Sequence, residues 1–273
     1  MNANKREFPT IEELSNGFSE FSLPQSDEMI GKSMVLYYED KSRMTLEFLS
    51  DDVMKVSFSD TEETVAATYV LASPRKGIYF LDFVKSYGDT CSVSTVIDVN
   101  KGIATTLFGS LPNREEVMIS QFERADKGMG MTSVKAVFKH AAVNVEFNEN
   151  TQVHEQTNEL VGKRIQFRYS TNDMYEHIYL NENYYVWHCI KGIEKGLCDT
   201  DRCHYYKITD NLYWFTWLEK VIPTIGTVME DLSETVMRSY GKIFGYETYE
   251  MTKVTNFPVG SYAKEMNVTE YEE

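Results

Sequence analysis

The chain has 273 residues, 27 basic and 42 acidic side chains, a formal charge of −15 and 13% aromatic residues. That charge disfavours nucleic acid and anionic membrane surfaces as partners unless Lys and Arg cluster somewhere, and they do not. No stretch approaches the ~18 uninterrupted apolar residues of a membrane span. The polar N-terminus lacks the apolar core of a signal peptide. The expected setting is therefore cytoplasmic, with Cys91, Cys189, Cys198 and Cys203 as reduced thiols.

Residues 1–28 read as a loosely docked leader. Within it Thr10 is a candidate N-cap and Glu13 its capping-box partner, which predicts one short helix over an open end of the first domain. From Ser33 the apolar residues recur every second position. Met44, Leu46 and Phe48 form one such series, Met54, Val56 and Phe58 the next, and Asp51-Asp52 turns between them. Further strands are expected over Val65–Leu71, Ile78–Val84, Cys91–Val99 and Ile103–Phe108, with Asp98–Gly102 turning between the last two. Residues 110–160 form a bridge, and Val134–Phe147 reads as a strand pair or as one strand closing the first barrel. Beyond it, strands are expected over Arg164–Tyr169, Tyr175–Leu180, Tyr184–Ile190, Asp201–Ile208, Leu212–Glu219, Gly226–Asp231 and Gly241–Gly245. About seven short strands with tight turns are the mark of an up-and-down barrel.

The two halves also resemble each other. Gly31-Lys32 and Gly162-Lys163 open similar runs 131 residues apart; Gly77–Lys85 and Asn211–Glu219 align 134 apart; Phe108-Gly109 and Phe244-Gly245 align 136 apart. A slowly drifting offset of that size indicates tandem domains. The expected fold is all-β: two tandem antiparallel barrels, residues 29–150 and 158–265, after the leader. A barrel of about eight strands either fills with side chains or holds one small ligand.

Candidate site residues concentrate in the second barrel. One face of Leu212–Glu219 carries Tyr213, Phe215, Trp217 and Glu219. If that face points inward, a carboxylate ends an aromatic ladder, where an apolar surround would raise its pKa and make it a usable acid or base. The alternative is a solvated pair with Lys220 at the rim. Tyr175, His177 and Tyr179 share a face, as do Tyr185, Trp187 and Cys189, with His188 opposite the latter. His177 or His188 could serve as a general base, or be an ordinary hydrogen-bonded histidine. With Tyr205 and Tyr206, the density of polar-tipped rings favours a pocket. The run Cys198–His204 holds zinc-ligand types without zinc-ligand spacing, so no metal is expected. Asp199, Asp201 and Arg202 look like a turn with an internal salt bridge, and Arg202 could alternatively bind a substrate carboxylate. There is no P-loop, dinucleotide fingerprint, nucleophile elbow or zincin motif, and no cofactor is expected.

The motifs Gly162-Lys163-Arg164, Tyr175–Asn181, Trp187-His188-Cys189, Asp199–Cys203, Glu219–Thr224, Gly241–Tyr246 and Asn256–Gly260 resemble the MoaF family, named for molybdenum cofactor biosynthesis. The resemblance covers nearly all of residues 160–262 and, more loosely, residues 30–110. It implies two calycin (lipocalin-like) barrels in tandem. A more distant likeness is to phenolic acid decarboxylase, which uses two tyrosines on its first strand, an arginine, and a glutamate after a Tyr-x-x-x-Trp strand. Tyr213, Trp217 and Glu219 sit at that spacing, and Tyr169 matches the second tyrosine. Phe167 replaces the first tyrosine, Leu197 stands at the arginine position, and Lys85 occupies the place of Glu219 in the first half.

Two functions are thus expected to compete: a protein that holds an aromatic or apolar small molecule in the second barrel, and a cofactor-free lyase, isomerase, cyclase or decarboxylase. The second would use Glu219, His177 and Tyr169 as acid–base groups. In either case Tyr175, Tyr179, Tyr185, Trp187, His188, Arg202, Tyr205, Tyr213, Phe215 and Trp217 would touch the ligand. The expected partner is a small molecule, not nucleic acid or membrane, and self-association into a homodimer stays open.

Overall fold

A computed structural model describes residues 8–61, 63–85 and 91–271. It divides into two compact units, one holding each barrel. In the first unit, β1 (Ser33–Tyr38), β2 (Arg43–Phe48), β3 (Val53–Phe58), β4 (Glu63–Arg75), β5 (Ile78–Lys85), β6 (Cys91–Asp98), β7 (Ile103–Ser110) and β8 (Lys135–Val143) form a closed antiparallel barrel in chain order. Of the two readings of Val134–Phe147, the closing strand is the one found: β8 pairs with both β7 and β1. The alternation of the sequence sets the inside. Met34, Leu36 and Tyr38 of β1, Met44, Leu46 and Phe48 of β2, and Met54, Val56 and Phe58 of β3 all turn into the core. Asp98 fixes the β6–β7 turn by accepting from the Asn100 and Lys101 N–H groups. Hydrocarbon fills this barrel, relieved by a hydroxyl chain of Tyr38, Thr106 and Thr95 at 2.9 and 3.1 Å. Lys85, the counterpart of Glu219, stands over the Phe58 ring at 4.8 Å.

The other unit contains a second closed barrel, after the bridge helices α2 (Arg114–Met118) and α3 (Gln121–Asp126) and the two-residue β9 (Glu155–Gln156). Its strands are β10 (Lys163–Arg168), β11 (Met174–Tyr179), β12 (Tyr184–Lys191), β13 (Cys198–Thr209), β14 (Leu212–Glu219), β15 (Thr224–Asp231), β16 (Arg238–Tyr246) and β17 (Val254–Val268). Each pairs antiparallel with its chain neighbours, and β17 closes onto β10. The three internal sequence matches fall on β1 and β10, β5 and β14, and β7 and β16, so both barrels share one strand order. Eight strands replace the expected seven, because the period-two pattern does not reveal β17. Pro258 lies inside that strand opposite Lys242, and proline argues against strand interiors. The bridge helices also lack a periodic apolar face. Their signals are caps: Asn113 with Glu116, and Ser120.

The leader departs from expectation. Thr10 and Glu13 do form a capping box on α1 (Ile11–Leu14), but residues 8–22 belong to the second barrel, not the first. Ile11, Leu14 and Phe18 are buried in the second barrel's core, where an aromatic mouth supplies apolar partners. Backbone bonds fasten them: Glu12 N–H to Glu247 O at 3.2 Å and Gly260 N–H to Phe18 O at 3.0 Å. Gly260 permits this approach, since a Cβ there would lie 2.2 Å from Phe21 O. From Leu23 the chain belongs to the first barrel. No helix among the described residues is long and apolar enough to cross a membrane.

Gly226 has a similar packing role. A Cβ on it would fall 1.9 Å from Cζ2 of Trp217, so the indole lies flat across the β15 backbone. Gly226→Ala is expected to cost about 1–3 kcal/mol as overpacking, measured by urea unfolding. A variant as stable as the parent would mean Trp217 is free to move.

Candidate functional site at the mouth of the second barrel

Inward positions of β10–β14 bring most of the candidate residues together. Phe167 and Tyr169 at and just beyond the end of β10, Tyr175, His177 and Tyr179 on β11, Tyr185 and Trp187 on β12, Tyr205 on β13, and Tyr213, Phe215 and Trp217 on β14 all enter one core. Their rings form a continuous ladder. Phe215 stacks on Tyr205 at 5.6 Å and on Trp217 at 5.4 Å, and His177 lies 5.1 Å from Tyr185 and 5.6 Å from Phe215.

At the upper end of that ladder is a cavity of about 30 Å³. It is lined by Tyr169, Tyr175, His177, Tyr185, Trp187, Trp217 and Glu219, together with Leu14, Phe18, Glu194 and Ile243. Such a volume suits one or two waters and is far below the ~300 Å³ of a drug-sized site. Phe18 is the reason. Its ring sits 4.7 Å from Tyr169 and 5.6 Å from Tyr175, filling the aromatic slot from the leader side.

Glu219 accepts a hydrogen bond from Trp217 Nε1 at 2.8 Å. Part of its surface meets the cavity, yet protein packs round its carboxyl. That burial, reinforced by the negative charges of Asp201 and Glu194, pushes its pKa well above the carboxylate range. Glu194, on the loop after β12, accepts from Tyr175 Oη at 2.8 Å, and burial raises it too. Asp201 points inward behind Trp187, accepting from its Nε1 at 3.0 Å. Lys220 does not pair with Glu219 as a solvated rim pair. It lies 2.6 Å from Asp199 and 3.3 Å from Asp201. His177 is 4% exposed, and burial pulls its pKa down to about 3, which keeps the imidazole neutral. Among the described residues its one side-chain hydrogen bond, between Nδ1 and Tyr179 Oη, is long at 3.5 Å.

Deeper still, Tyr179 donates to Glu230 Oε1 at 2.6 Å. Glu230 is fully buried on β15, burial pushes it up to about 8, and its Oε2 has no hydrogen-bond partner. Tyr213 marks the far end of the barrel, donating to Glu159 at 2.8 Å. Tyr179, Tyr205, Tyr213 and Phe215 are thus core of the ladder and do not line the cavity.

Two expected ligand contacts lie elsewhere. His188 is on the outer face, its Nδ1 2.8 Å from Glu176, which Arg164 also grips through Nε at 2.7 Å and Nη2 at 3.0 Å. Arg202 is outward as well, its guanidinium over the Tyr184 ring at 5.7 Å. The segment holding Asp199, Asp201 and Arg202 is strand β13 rather than a turn, and alternation sends Asp201 in and Arg202 out. Leu197, at the decarboxylase arginine position, packs against the core. No Lys or Arg lines the cavity. Sequence reasoning missed Glu194, Glu230, Leu14 and Phe18. The capping box at Thr10 was the one available signal that an ordered element carried the last two.

Comparison with known proteins agrees with this architecture. The profile of the MoaF N-terminal domain matches residues 6–113 and that of the MoaF C-terminal domain residues 154–269. Protein MoaF of Klebsiella aerogenes is 39% identical over 199 residues, 73% of this chain and 74% of its own. Among solved structures, a protein of Burkholderia vietnamiensis described as a candidate beta-lactamase matches 40% of this chain and 96% of its own. Its identity is 11% and its TM-score 0.33, too low to bear on function. With both domain profiles in order along the chain and a relative at 39% identity over most of its length, the chain belongs to the MoaF family.

Proposed function

We propose that the second barrel holds one small aromatic or apolar molecule at its mouth, in the slot that Phe18 fills in the closed state. The observation that carries this reading is the Phe18 ring itself, set against Tyr169 and Tyr175 at a cavity that Glu194, Glu219 and His177 also line. A ring-sized ligand that displaces Phe18 gains the same aromatic contacts, worth roughly 0.5–1.5 kcal/mol per pair beyond area burial. Four free thiols, two of them buried, support a reducing, cytoplasmic setting.

A second reading, cofactor-free acid–base catalysis by Glu219, His177 and Tyr169, draws on the same cavity, because strongly perturbed carboxyls mark functional sites. Decarboxylation of a phenolic acid is its least supported form. Arg202 faces outward and Leu197 replaces the expected arginine, so no cation is at hand for a substrate carboxylate.

Thermal-shift titration of the full chain with phenol, indole and benzyl alcohol tests the binding reading. Stabilisation should grow with ligand concentration and vanish in Ile243→Phe, which fills the cavity from the β16 side. Equal shifts in parent and variant would put binding elsewhere.

A further inference from the structure

We propose that the polar end of the ligand is a cation, an organic ammonium group seated between Glu219 and Glu194. This rests on the binding reading above and adds the charge of the ligand to it. Glu219 and Glu194 are the two charged-type side chains that line the cavity, and both are carboxyls. The faces of Tyr169, Tyr175, Trp187 and Trp217 complete the lining, and aromatic faces attract cations. His177 is a separate sign of a missing partner. It is 4% exposed, it lines the cavity, and its one side-chain hydrogen bond among the described residues, at 3.5 Å, uses Nδ1. Nε2 is thus free, as the neutral tautomer, to accept from an N–H donor.

The surrounding charges favour the same sign of ligand. Behind Trp187, Asp201 shares Lys220 with Asp199, one cation for two carboxylates. On the other elements facing Glu219 and Glu194 the titratable groups are the phenols of Tyr169, Tyr175 and Tyr185, the Cys189 thiol, the neutral His177 and, deeper, Glu230. None of these is a cation. In the empty cavity burial raises the pKa of both Glu219 and Glu194, which favours their protonated forms. An incoming ammonium would stabilise the ionised form, so a proton leaves the carboxyl for solvent as the cation seats. An anionic ligand finds no counter-charge in the lining and would oppose ionisation of both carboxyls.

The test uses three probes of one size, benzylamine, benzyl alcohol and benzoate, titrated calorimetrically into the full chain carrying Phe18→Ala, which opens the slot. Benzylamine should bind about tenfold or more tighter than benzyl alcohol, the range of a charge-assisted hydrogen bond, and benzoate weakest. Its affinity should rise with pH, because the ammonium group favours the ionised carboxyls. Adding Glu219→Gln and Glu194→Gln together should bring benzylamine down to the level of benzyl alcohol. A far-ultraviolet circular dichroism spectrum and a urea unfolding midpoint matching those of Phe18→Ala show that this variant is folded. Benzyl alcohol binding as tightly as benzylamine would overturn the cation assignment and leave the aromatic site standing. Absence of binding by all three probes would overturn both.

Discussion

Glu230→Gln should gain stability relative to the parent protein as pH rises, by on the order of 4 kcal/mol between about pH 4.5 and pH 8. Burial raises the Glu230 carboxyl from 4.5 to about 8 in the folded state. A group whose folded pKa is raised binds more protons folded than unfolded across that window. Folding is therefore favoured below the unfolded value and progressively penalised as pH climbs to the folded value, where the buried group must ionise. Glutamine cannot ionise, so the penalty is absent from the variant. It keeps an acceptor for the Tyr179 hydroxyl, now 2.6 Å from Oε1. Any fixed cost of the unpartnered amide, in place of the unpartnered Oε2, does not change with pH. Urea unfolding of both proteins at about pH 5 and pH 8.5 reads the difference. Parallel pH profiles would show that Glu230 ionises as freely folded as unfolded, with water reaching it.

Phe18→Ala should cost about 3 kcal/mol in the absence of ligand, the usual scale for removing a buried phenyl ring. Phe18 is 3% exposed and touches two tyrosine rings. The loss should not be spread evenly. The leader is held by a few backbone bonds, among them Gly260 N–H to Phe18 O and Glu12 N–H to Glu247 O. Removing its central anchor should speed amide exchange at Gly260 and Glu12 while strands β13–β15 stay protected. A uniform loss of protection would mean that the leader is part of the barrel's cooperative core rather than a separable closure.

Much of the barrel was legible in the sequence because its strands alternate cleanly. Tyr213, Phe215 and Trp217 follow the period-two rule, and their shared inward face with Glu219 follows from it. Where that rule gives no information, reading failed. On β15 every residue from Thr224 to Asp231 is buried, so no polar face shows that Glu230 points inward. Glu194 lies on a loop, where periodicity has no meaning. His188 and Arg202 obey alternation, but parity alone gives no side until one neighbour's direction is known. Trp187 and Asp201 turn in, and that sends both of them out. The capping box of Thr10 and Glu13 announced α1 correctly, yet a four-residue helix with two apolar residues does not say which barrel it will cover. That choice is made by the open ring of Tyr169, Tyr175 and Trp217, assembled from strands far apart in the chain.

The first barrel illustrates how the same strand order yields a different interior. Methionine, leucine and phenylalanine on β1–β3 fill it, and Lys85 at the end of β5 covers a ring where Glu219 faces a cavity. One filled copy and one that keeps polar groups around a gap are the pattern expected when only one of two duplicated barrels binds a ligand.

The decisive experiment is a calorimetric titration of the parent chain and of Phe18→Ala with benzyl alcohol, side by side. If Phe18 occupies the ligand's slot, removing its ring should tighten binding by about tenfold or more, since the ligand no longer has to displace an internal competitor. Equal affinities, or a weaker one in the variant, would contradict a ligand site at the mouth of the second barrel.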